Sequence, residues 1–71
     1  MMLNAEQKVK HVEDFVAMVS EAKTYESALS HCTYTKGMVG AWHLDGTIPT
    51  SFYQQVWEDL DTIMTNKRKL F

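Results

Sequence analysis

The sequence predicts an all-α fold of about four helices in a single domain spanning 1–71, and three observations lead there. Apolar residues recur at three- and four-residue steps in the first and last thirds of the chain. No alternating apolar and polar run of strand length occurs anywhere. Capping and turn residues (Asn4, Thr24, Asp45-Gly46, Ile48-Pro49) separate the periodic stretches, with no internal repeat and no linker between two halves.

Asn4 followed three residues later by Gln7 has the form of a capping box, in which each residue satisfies a backbone N–H of the other. Val9, Val12, Phe15, Val16, Val19 and Ala22 then mark a first amphipathic helix over about 5–22. Lys23-Thr24 breaks that rhythm, and Thr24 is a good N-cap for a second helix over about 25–32, with Ala28, Leu29 and Cys32 inward. The hydroxyls of Thr33, Tyr34 and Thr35 offer caps again, so a third helix is expected over about 35–44, carrying Met38, Val39 and Trp42. Asp45-Gly46 supplies a turn with glycine just past the helix end. Pro49 suits the first turn of a last helix over about 50–65, where Phe52, Val56, Leu60, Ile63 and Met64 form a stripe that Asn66 ends.

Size and composition narrow the function classes. A 71-residue chain with 45% hydrophobic and 23% charged residues is a soluble domain with one core. A core that small buries only about 60% of the unfolded surface, so help from a second subunit is expected and a homodimer is the natural form. Cys32 is the only cysteine, and neither a CxxC nor an HxxxH spacing exists to hold zinc. His11, His31 and His43 are scattered, so no metal, cofactor or enzymatic activity is expected. The N-terminus lacks an apolar run of signal-peptide length and no 18-residue apolar stretch follows. A cytoplasmic protein without membrane contact is therefore expected. The net charge of −2 argues against DNA binding driven by bulk charge. The basic cluster Lys67, Arg68, Lys69 nevertheless follows the acidic Glu58, Asp59 and Asp61.

The segment from Glu26 to Pro49, ESALSHCTYTKGMVGAWHLDGTIP, combines two short helices, a Trp, a glycine turn and Ile-Pro. It resembles the helix-turn-helix of the phage Cro, CII and YdaS-type regulators. On that pattern Ala28, Leu29 and Cys32 correspond to the inner face of the second helix and Val39 and Trp42 to that of the third. Gly46, Ile48 and Pro49 correspond to the turn that follows. The resemblance implies a small phage or prophage transcription regulator that binds operator DNA as a symmetric dimer. Two recognition helices would then enter half-sites about one helical turn apart. Thr35 and Lys36 are the expected base or phosphate contacts, Tyr25, Thr33 and Tyr34 phosphate donors, and Lys67, Arg68 and Lys69 backbone contacts. Phe52, Tyr53, Val56, Trp57, Leu60 and Met64 are the expected dimer interface.

Gly37 and Gly40 raise a separate question, since each costs a helix interior about 1 kcal/mol relative to alanine. In the DNA reading they let the backbone approach phosphates or bases closely, with recognition by shape and thymine-methyl contact. In the alternative, Gly37, Gly40 and Ala41 form a smooth face for a partner helix. The chain would then be a helix-turn-helix-derived antirepressor or inhibitor that binds a repressor or a host factor instead of DNA.

Overall fold

Asn4 opens the first helix as its spacing predicts. Its side chain accepts from the Gln7 N–H at 2.8 Å, and its own N–H donates to Gln7 Oε1 at 3.0 Å. This computed structural model describes residues 3–70, so residues 1, 2 and 71 of the expected domain lie outside the described residues. Among the described residues the fold is all-α with three helices, α1 (Ala5–Glu21), α2 (Tyr25–Leu44) and α3 (Thr50–Leu70).

The expected break at Thr33-Tyr34-Thr35 is absent: α2 runs unbroken for 20 residues, so the separate helices over 25–32 and 35–44 are one. The reason lies in Thr35. Its hydroxyl donates to the His31 carbonyl oxygen at 2.6 Å, which satisfies it inside the helix, and the residue is 0% exposed. With Thr35 counted as a core position, the buried residues Ala28, Cys32, Thr35 and Val39 follow steps of four, three and four, the stripe of a continuous helix. No turn separates two helices within residues 25–44, so the helix-turn-helix geometry expected there is not formed.

The connections on either side are well specified. Ala22 is extended (ψ 137°), and Thr24 accepts from the Ser27 N–H at 3.1 Å to start α2. At the other end Gly46 has φ +83°, the left-handed value that glycine adopts without strain. The N–H of Gly46 bonds to the His43 carbonyl and that of Thr47 to the Trp42 carbonyl, both at 3.1 Å, closing α2 in a Schellman motif. Asp45 Oδ1 accepts from the Thr47 N–H at 2.8 Å and from its hydroxyl, and Ile48, 1% exposed, plugs the core before Pro49 turns the chain into α3.

Two lysines fix the relative direction of the helices. Lys8 near the start of α1 reaches Asp45 (3.4 Å) and Thr47 (3.1 Å) in the α2–α3 turn. Lys67 near the end of α3 donates to the Ala22 carbonyl oxygen at the end of α1, at 2.9 Å. Thus α1 and α3 run parallel and α2 antiparallel to both. The core is one cluster of Val12, Val19, Ala28, Cys32, Val39, Ile48, Val56, Leu60 and Met64. The anchoring of Lys67 also explains why α3 passes Asn66 and continues to Leu70 instead of ending near 65.

Candidate protein-docking groove on α1 and α2

Because α2 is continuous, the residues expected to contact DNA are distributed over several sides of it. Thr33, Tyr34 and Gly37 face an open groove shared with α1, whereas Tyr25 and Lys36 line a different one with Arg68 of α3. Thr35 lies in the core and is not available to any ligand. Lys36 is held over the Trp57 ring at 4.4 Å from its centroid, and its Nζ is 3.3 Å from Asp61 Oδ1, so its charge is already partnered. Gly40 is half-buried, with Tyr53 about 4 Å from where a Cβ would stand. Of the basic cluster, Lys67 is buried in the α1 contact described above, and Arg68 and Lys69 are exposed.

The expected interface residues divide in the same manner. Val56, Leu60 and Met64 are buried within the protomer, where they hold α3 to the other helices, and are not a free seam. Phe52 and Tyr53 are half-buried, and Trp57 is 36% exposed beside Lys36. Tyr53 stacks on His43 at 4.4 Å between centroids, and His43 Nε2 lies 3.0 Å from Thr50 Oγ1. These contacts commit His43 to joining α2 to α3.

The α1–α2 groove has a volume of about 440 Å³ and is lined by His11, Thr33, Tyr34, Gly37, Met38, Ala41 and Trp42. Its aromatic edge is continuous: Trp42 is 6.0 Å from His11, His11 is 5.0 Å from Phe15 in an edge-on arrangement, and Phe15 is 4.9 Å from Tyr34. Tyr34, 57% exposed, stands at its open end. The groove floor contains Gly37, where an added Cβ would meet nothing within 4 Å. His11 and Phe15 were not nominated for this surface by sequence. Their signal was an i, i+4 aromatic pair on α1 matched by Tyr34, Met38 and Trp42 at four-residue steps on α2.

No family model matches the chain, and neither does any curated protein or solved structure.

Among the described residues two titratable groups depart from their ordinary values. The hydrogen bonds that Asp45 accepts from the Thr47 hydroxyl and N–H hold its carboxyl below the usual aspartate value, and Lys8 adds to this. Burial pushes the Cys32 thiol up, and Lys36 offsets this in part, so Cys32 stays a thiol. Among the described residues no group of three or more His, Cys, Asp or Glu side chains converges to hold a metal, and no helix is long and apolar enough to cross a membrane.

Proposed function

We propose that this protein binds another protein through the α1–α2 groove and acts by covering that partner's surface, in the manner of an antirepressor or an inhibitor of a host factor. Gly37 carries the reading. It occupies the middle of a long helix, where glycine costs about 1 kcal/mol, and it has a helical φ and open space beside it. Among the described residues no atom crowds the position, and a close approach from outside gives the glycine a role. The occupant is the apolar face of a partner helix. The lining holds no acidic, lysine or arginine side chain, and its Tyr, Trp and Met side chains are types that anchor protein interfaces.

Several features support this reading over operator binding. Thr35 is internal, the Lys36 charge is taken up by Asp61 and Trp57, and the net charge is −2. A benzophenone side chain in place of Tyr34, at the open end of the groove, should cross-link to one discrete protein in a host lysate. Unlabelled protein should compete, and the Gly37→Arg variant should not. Selection from a random duplex pool that enriched one near-palindrome, bound equally well by Gly37→Arg, would overturn the proposal in favour of a DNA regulator.

A further inference from the structure

A second groove lies between the parallel helices α1 and α3, independent of the α1–α2 surface and of any role assigned to it. Its volume is about 740 Å³, and Val16, Ala17, Phe52 and Ile63 give it an apolar floor. Among the described residues the only charged side chains that line it are Glu13 from α1 and Asp59 from α3, so both walls carry carboxylates and neither carries a cation. The ion pairs Lys8–Asp45, Lys10–Asp14 and Lys36–Asp61 engage other carboxylates. Asp59 accepts a hydrogen bond from the neutral amide of Gln55 at 2.9 Å, which orients the carboxylate without neutralising it.

We propose that this groove seats a basic amphipathic helix of a partner protein. Geometry selects a helix. The lining residues recur at three- and four-residue steps on both walls, and ridges at those steps on parallel helices accept a third helix between them. From Phe52 to Ile63 the wall is about 16 Å long at about 1.5 Å per residue, enough for two to three turns of an occupant. Charge selects its chemistry. An apolar stripe facing Val16, Phe52 and Ile63, with lysine or arginine on both flanks, meets Glu13 on one side and Asp59 on the other. Nucleic acid and anionic lipid headgroups meet repulsion from the same carboxylates.

The test uses two fluorescent helical peptides of about 14 residues with the same leucine stripe, one flanked by lysines and one by glutamates. Their binding to the intact protein is read by anisotropy at low and high salt. The lysine peptide should bind at least about tenfold more tightly than the glutamate peptide and weaken as salt rises. The double variant Glu13→Lys/Asp59→Lys, with its helical circular dichroism unchanged, should lose about tenfold or more and reverse the preference. Gly37→Arg should leave lysine-peptide binding unaltered, which separates this groove from the α1–α2 surface. Equal binding of the two peptides, absence of binding, or undiminished binding to the double variant would overturn the proposal. So would sedimentation showing a wild-type dimer that the double variant dissolves, since a second copy would then be the occupant.

Discussion

The ammonium of Lys36 lies over the ring of Trp57, 4.4 Å from its centroid, while pairing with Asp61 at 3.3 Å. The residue that sequence favours for touching DNA thus joins α2 to α3. Lys36→Ala should lower stability by about 0.5–1 kcal/mol, the scale of a partly exposed cation–π contact. A urea titration followed by Trp emission measures this, and partner capture through position 34 should not change. If Lys36→Ala left the titration midpoint in place but abolished capture, Lys36 would have to be a contact residue instead.

Gly37→Ala should stabilise the protein by about 0.5–1 kcal/mol, because the position is helical and the added methyl meets nothing within 4 Å. For a domain of this size that raises Tm by several degrees, about 4–8 °C per kcal/mol. Gly37→Arg should likewise fold but should fail to capture the partner. A fall in Tm for Gly37→Ala would mean that the glycine serves the fold and not a docking surface.

Thr35 distinguishes a continuous α2 from a broken one. Thr35→Val keeps the shape and removes a hydroxyl bonded only within its own helix, so thermal melts should change by no more than about 1 kcal/mol. Thr35→Asp places a charge in the core and should destabilise the protein by about 3 kcal/mol or more, enough to unfold much of it. Amide exchange should find residues 33–35 as protected as the turns on either side. Rapid exchange confined to those three would indicate a turn in solution.

Acid sensitivity should depend in part on Asp45. Its carboxyl titrates below its ordinary value in the folded protein because Thr47 donates to it. The stabilisation is therefore fully present above the unfolded-state pKa and is lost as pH falls through the folded one. Asp45→Asn should melt at a lower temperature than the wild type at neutral pH, and the two curves of Tm against pH should converge in acid. Parallel curves would remove Asp45 from the acid response.

The all-α class, the Asn4–Gln7 box, the Thr24 cap and the Asp45-Gly46 stop were legible because each depends on neighbours within a few residues. The α3 stripe was legible for the same reason, since its spacing alone defines a face. Thr33-Tyr34-Thr35 misled because hydroxyl residues cap helices locally, whereas here burial of Cys32, Thr35 and Val39 against other helices overrides that preference. Asn66 misled similarly, since the tie from Lys67 to Ala22 spans 45 positions in sequence. The grooves were least legible, because each needs two helices placed side by side. The small residues Gly37 and Ala41 and the four-residue aromatic spacing hinted at one of them, whereas Gly40 lies against Tyr53 outside it.

The buried thiol of Cys32 sits beside Lys36 and Met64 at the seam between α2 and α3. As the only thiol in the chain, it makes that seam a clock: an alkylating reagent can reach it only when the two helices part. Its labelling rate then reports how often the bundle opens, and a ligand clasped by α1 and α3 should slow that rate without touching the sulfur.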